Sequence, residues 1–302
     1  MTTRELHPSG WTVLGIPIDS VGAPDGGPPF GTELAPEALR AQRIVHRLGA
    51  DDAGDLDVRI TGSARDPESG LVGGATVAPV VAAVRGEVAR LLRDGRRPLL
   101  LGGCCTLLAG AFPGAVDALG PLGLVYADGH LDIYDHRTSP TGEVADMPVA
   151  LLLGRGEPGI LAAAGPTPSL TVDRLTVLGA RDEDERRDVG ALAVELGVVD
   201  VGVAEIVADP HAVGLRTARR QDGGFWLSLD VDVLGEDEFP ATDYLMPGGL
   251  SLDQLRDLLA PIGQDRRLVG ASVACYNPTK DPTGEHGAAL VDLLVDVLGG
   301  AG

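Results

Sequence analysis

The chain has 302 residues, 44% of them hydrophobic and only 3% aromatic, enough for a sizeable core of leucine, valine and alanine in one large domain or two small ones. Acidic residues outnumber basic ones by 44 to 24, and the resulting formal charge of -20 excludes nucleic acid and anionic membrane surfaces as natural partners while suiting solubility or an acidic mouth for cationic substrates. No apolar run reaches the roughly 18 residues of a membrane span, the N-terminus shows no secretory signal, and three cysteines make no disulfide framework, so the expected compartment is the cytoplasm.

In chain order, residues 11–18 (WTVLGIPI) read as a first strand, followed by a loop rich in glycine and proline at 20–36. Helical patterns at 35–48 and 77–95 lead to a second strand at 96–103. Further strands are predicted at 122–130, 175–182, 224–233 and 268–278. A helix at 251–263 starts from Ser251 as its N-cap, and a packing helix spans 287–299. Strands alternating with helices predict an α/β fold with a mostly parallel sheet covered on both faces. No repeat or flexible linker divides the chain, so a single domain over 1–302 is expected. Such folds place their sites in loops after strand ends, here 20–36 and 136–148.

Two carboxylate clusters close predicted strands. In Asp128-Gly129-His130-Leu131-Asp132 and in Asp230-Val231-Asp232, alternate residues of an extended chain point the same way. Each motif alone also reads as a polar turn or an ordinary strand end. Together they place four anions at the ends of core strands, an expensive arrangement unless a cation neutralises them. Oxygen donors with one imidazole suit Mn²⁺, Mg²⁺ or a similar ion.

These motifs resemble the DAHxD and DVD metal signatures of the arginase/agmatinase (ureohydrolase) superfamily. The resemblance continues, in order, through GIPIDSVGAPDGGPPFGTELAPEALR, LLLGGCCTLLAG, GARDEDE, MPGGLS and YNPTKDPTGEHGAALVDLL. It implies a three-layer α/β/α domain, assembly as a homo-oligomer (trimer or hexamer), and one or two Mn²⁺ ions per chain that activate water for attack on a guanidinium carbon. By the same resemblance Asp128, His130, Asp132, Asp230 and Asp232 are metal ligands, and Asp132 also orients the attacking hydroxide. Asp184 matches a contact to the substrate's amino end, and Ser139, Thr141 and Glu143 lie in the loop that meets its carboxylate.

Three departures from the family pattern bear on the chemistry. Cys105 replaces a metal-binding histidine and Cys104 its preceding aspartate; a thiolate ligand at Cys105 favours Zn²⁺ or Fe²⁺, and the competing reading is a small buried hydrophobe. Cys275 replaces the glutamate that pairs with the substrate guanidinium, and a thiol offers no such bidentate contact. The loop histidine used as a proton shuttle is absent near Ala145 and Asp146, leaving His136 as the candidate to take over. The reading that follows is a metal-dependent hydrolase of a non-peptide C–N bond in a guanidino, modified guanidino or amidine-like small molecule. A catalytically inactive, binding or regulatory protein is the competitor from another class. A cysteine hydrolase built on Cys104, Cys105 or Cys275 with His130 would not require four aspartates beside it, and a dinucleotide fold would want a G-x-G-x-x-G turn that GIPIDSVG lacks.

Overall fold

Eight parallel strands form the middle layer of the computed structural model, which describes residues 10–21, 31–62, 64–182 and 187–300. The strands are β1 (Trp11–Ile16), β2 (Asp51–Asp55), β3 (Arg97–Gly102), β4 (Gly123–Ala127), β5 (Leu175–Leu178), β6 (Asp200–Val201), β7 (Phe225–Asp230) and β8 (Leu268–Ala274). Their order across the sheet is β2-β1-β3-β8-β7-β4-β5-β6. Every residue of β1, β3, β4, β7 and β8 is buried, as expected of strands covered on both faces, and this is why they read as near-continuous apolar runs.

Alternate residues of these strands feed two cores. On one side Leu100, Tyr126 and Trp226 pack with Val81 and Val84 of α3 (Gly74–Arg93) and Phe112 of α4 (Leu108–Leu119). On the other, Leu101, Val125 and Leu227 meet Leu255 of α10 (Leu252–Gly263) and Leu290 of α11 (Glu285–Leu298). The result is the three-layer α/β/α arrangement. The shorter helices α5 (Pro148–Leu152), α6 (Pro158–Ala164), α7 (Arg187–Leu196), α8 (Val203–Ala208) and α9 (Pro210–Arg220) complete the connections. Among the described residues no helix is long and apolar enough to cross a membrane.

Three differences from the sequence expectation have a clear physical cause. First, β2 and β6 were not anticipated. β2 is the exposed, apolar-poor segment DDAGD, which pairs with β1 while Arg40 binds Asp52 and Asp55 and Arg96 binds Asp51. Second, the helical stretch 35–48 breaks into α1 (Ala35–Ala41) and α2 (Ile44–Leu48), with Arg43 at φ 65°. Leu39 and Ile44 are both buried, and on an unbroken helix they would lie roughly 140° apart; the break turns both inward.

Third, β4 and β7 stop earlier than expected, at Ala127 and Asp230. The Asp128 carboxylate accepts the His130 N–H at 2.7 Å, and Asp230 accepts the Asp232 N–H at 3.1 Å. Short aspartate side chains bonding the backbone two residues on convert the strand ends into turns. The carboxylates of each motif therefore converge through these turns and not through strand alternation.

Close approach of α3 and α4 depends on missing side chains. A Cβ at Gly114 would sit 2.4 Å from the Arg85 carbonyl oxygen, whereas one at Gly86, on the exposed face of α3, meets nothing within 4 Å. Gly114→Ala is expected to destabilise the fold by about 1–3 kcal/mol, and Gly86→Ala to stabilise it by about 0.5–1 kcal/mol. Thermal unfolding of the two variants checks this; equal midpoints would show that the helices can part.

Candidate metal centre

Four adjacent strands, β3, β8, β7 and β4, deliver the candidate ligands at their C-terminal ends, beside the gap that the chain leaves between β3 and β4 and fills later with β7 and β8. Cys105 opens the short 3₁₀ turn after β3, Cys275 follows β8, Asp230 ends β7 with Asp232 in the next turn, and Asp128 follows β4. A Cβ at Gly103 would fall 1.6 Å from the Ile18 carbonyl oxygen, so glycine is required where the β3 end passes the β1 end. The GARD segment clamps both motifs together. The Arg181 N–H bonds the Gly129 carbonyl at 2.9 Å, and its guanidinium reaches the carbonyls of Asp232, Leu234 and Met246. Asp182 accepts the Leu131 N–H at 3.3 Å.

One cavity is lined by all six residues assigned to metal: Cys105, Asp128, His130, Asp132, Asp230 and Asp232. Potential ligand atoms of Asp128, His130 and Asp232 lie within 4.8 Å of one another, and so do those of Cys105, Asp230 and Cys275. The His130 imidazole sits 3.0 Å from Asp232 and 3.7 Å from Asp128. Asp132 stands slightly apart, at φ 51°, accepting the Tyr126 hydroxyl at 2.5 Å.

The electrostatics are those of crowded, buried anions. Burial, then the neighbouring Asp232, pushes Asp128 up to about 7. Burial and nearby carboxylates likewise raise Asp132 and Asp230 well above the usual carboxylate value. Burial opposes the charged form of His130, but Asp232 and Asp128 outweigh it and hold the imidazole well above its ordinary value. Asp232 is held low despite burial, by His130, the Gly129 N–H and Arg181. Asp128 Oδ2 is buried with no hydrogen-bond partner among the described residues. A set of four buried carboxylates, one of them with an orphaned oxygen, fits a divalent cation.

Ser139, Thr141 and Glu143 fall one step back from the cavity. Ser139 and Thr141 donate their hydroxyls to Asp146 at 2.8 and 2.6 Å, and Glu143 accepts the Tyr244 hydroxyl at 2.6 Å. It is Asp146 and Tyr244 that line the cavity. His136 is half-buried and does not line it. Asp184 lies outside the described residues. Cys275 lines the cavity beside Cys105, so its nearest chemistry is the metal set. Cys104 is turned away, its sulfur accepting the Ser20 N–H at 3.3 Å. No described cysteine forms a nucleophilic pair with His130, whose ring is engaged by Asp232 and Asp128.

Asp243, Thr242 and Tyr244 were not singled out from the sequence, although they sit between the DVD and PGG motifs. Asn277 and Lys280 hold one oxygen of Asp243 at 2.8 and 2.9 Å, which is what the NPTK segment does here. Its other oxygen is buried without a hydrogen-bond partner among the described residues.

A model of the arginase family matches residues 9–299. Over 300 residues the chain is 25% identical to an arginase of Bacillus caldovelox, spanning 95% of this chain and 97% of that protein. The solved structure of arginase from Bacillus caldovelox aligns with a TM-score of 0.86 at 24% identity, covering 96% of this chain and 98% of that one. A formimidoylglutamase from Bacillus subtilis aligns with a TM-score of 0.76 at 19% identity, covering 97% and 88%. With a family match running from before β1 to the end of α11, the chain belongs to the arginase family.

Proposed function

We propose that the cavity hydrolyses a non-peptide C–N bond of a small molecule whose reacting carbon is that of a modified guanidino, amidine or formimino group. The class of reaction, hydrolysis of C–N bonds in linear amidines, is that of the arginase family. The observation that carries the reading is the convergence of Asp128, His130, Asp132, Asp230 and Asp232 on one cavity at the ends of adjacent strands. A binding protein that has lost hydrolysis finds no support in relatives that are named as hydrolases.

Asp128, His130, Asp132, Asp230 and Asp232, with Cys105, would hold one or two divalent ions, Mn²⁺ by the family resemblance. Such ions supply Lewis acidity, bringing the pKa of water toward neutrality and polarising an amidine-like carbon. Asp132, pinned by Tyr126, orients the attacking water as a hydrogen-bond acceptor. Asp146, fixed by the two hydroxyls of Ser139 and Thr141, is the loop acid that reaches the cavity and takes the proton-carrying position considered for His136. The Asp243 oxygen that has no hydrogen-bond partner among the described residues suits a polar or cationic group remote from the reacting carbon. Cys275 offers no carboxylate to pair with a guanidinium, which favours a less cationic reacting group over arginine or agmatine. Residence in the cytoplasm and assembly as a trimer or hexamer belong to the same proposal, resting on cysteine usage and on the family.

A panel of guanidines, N-substituted guanidines, amidines and formimino compounds, assayed with Mn²⁺ supplied, tests the reading; no turnover on any of them would sink it. Asp232→Ala is expected to lose bound metal on dialysis and to lower turnover by at least about a thousandfold, as removal of a ligand from a charged centre should. Tyr126→Phe is expected to keep its metal but to lower kcat roughly tenfold, the loss of one hydrogen bond to a charged group. Metal analysis and kinetics of the two variants separate ligand from positioning residue.

The raised carboxylates also set a pH dependence. Their folded pKa values lie above the unfolded 3.8, so in metal-free protein their stabilising contribution is complete below that value and is lost as pH rises, through about 7 for Asp128. The unfolding midpoint of metal-stripped protein should therefore fall by several degrees between about pH 5.5 and about pH 8, and saturating Mn²⁺ should remove most of the fall. A metal-free midpoint that rises over this interval would contradict the assignment.

A further inference from the structure

The cavity contains two donor sets of different character. Asp128, His130 and Asp232 offer oxygen and nitrogen; Cys105, Asp230 and Cys275 offer two sulfurs and one oxygen, with ligand atoms within 4.8 Å of one another in each set. The sulfur set is built by the backbone. The Cys275 N–H donates to the Gly103 carbonyl at 2.8 Å, tying the end of β8 to the turn that carries Cys105, and Cys275 takes φ 66°, a left-handed conformation uncommon for a side-chain-bearing residue. Asp230 arrives from β7, the next strand over. The Cys105 thiol donates to the Ala145 carbonyl at 3.2 Å. Cys104, one residue earlier, is held away by the Ser20 N–H and by the Ser20 hydroxyl, which is itself bonded to the Thr106 hydroxyl, so the pairing is between the two cavity sulfurs and not between the sequence neighbours.

We infer that this is an asymmetric two-metal centre, in which Cys105, Cys275 and Asp230 hold a thiophilic divalent ion such as Zn²⁺ or Fe²⁺ while Asp128, His130 and Asp232 hold a harder ion such as Mn²⁺. The inference rests on the reading of the cavity as a metal centre and adds that its two halves differ in selectivity. Soft thiolates select Zn²⁺ and Fe²⁺, whereas carboxylates suit Mn²⁺. Binding forms two metal–sulfur bonds and breaks two S–H bonds, with both protons leaving to solvent and no change of oxidation state. Cys275 thereby passes from a substituted substrate contact to a ligand, and the two cysteine departures from the family pattern become one compensated change.

The test uses metal-stripped, full-length protein kept reduced with a phosphine. It is titrated with Cd²⁺, followed by sulfur-to-metal charge-transfer absorption, and then with Mn²⁺, followed by electron paramagnetic resonance. The expected result is a charge-transfer band complete at one equivalent of Cd²⁺, then about one equivalent of Mn²⁺ bound without loss of the band. Cys105→Ser and Cys275→Ser should each reduce the band about twofold, and Cys104→Ser should leave it intact. Asp128→Asn should weaken Mn²⁺ uptake about tenfold or more while leaving the band. If a cysteine variant fails to fold, protection from alkylation in wild-type protein decides: Cd²⁺ should shield Cys105 and Cys275 together.

Two equivalents of Mn²⁺ with no charge-transfer band and no shielding on Cd²⁺ addition would overturn the asymmetric centre and leave the hydrolase reading standing. Failure to bind any of these ions would overturn both. A band that survives both Cys105→Ser and Cys275→Ser would place the sulfur ligand elsewhere and overturn the inference alone.

Discussion

Concentrating negative charge where a parallel sheet is driest is the constraint around which this molecule is arranged. Asp128, Asp132, Asp230 and Asp232 are all buried, and the imidazole of His130 is the cationic partner in direct contact with two of them. In a low-dielectric site such anions repel one another and resist ionisation, which is why three of them are raised. The fold tolerates them because the ends of adjacent strands hold them in place and backbone N–H groups reward the turns they make. The same crowding is what suits the group to a divalent cation.

The supporting shell follows from the same constraint. Arg181 directs its guanidinium to the carbonyls of Asp232, Leu234 and Met246 and so positions the loops that carry the acids. Tyr126 reaches across from the core to a single oxygen of Asp132, and the loop residues Ser139, Thr141 and Glu143 fix the acids and the ring that form the wall. The wall of the cavity is thus divided between residues that touch it and residues that aim them.

Much of this was legible in the sequence. The inner strands announce themselves as apolar runs because both faces are covered, and the two aspartate motifs stand out because they close such runs. The three-layer fold and the membership of the arginase family followed from these signals. What escaped was whatever depends on partners distant in the chain. β2 has no apolar signal and exists through β1 and the arginines that bind it. The break after α1 reflects two buried residues that one straight helix cannot satisfy. Asp146, Asp243 and Tyr244 enter the cavity through loop geometry, and Ser139, Thr141 and Glu143 stand behind Asp146 and Tyr244.

The acidic strand β2 has a consequence for assembly. A sheet ends in unpaired backbone groups that invite another strand, from a neighbouring copy or a misfolded one, unless the edge is guarded. Here one margin carries Asp51, Asp52 and Asp55, all exposed, and the other is the two-residue β6. A strand approaching the β2 margin would meet a row of acids already tied to Arg40 and Arg96, and β6 offers too little length to template a partner. Among the described residues, one margin of the sheet thus discourages lateral extension by its composition and the other by its brevity.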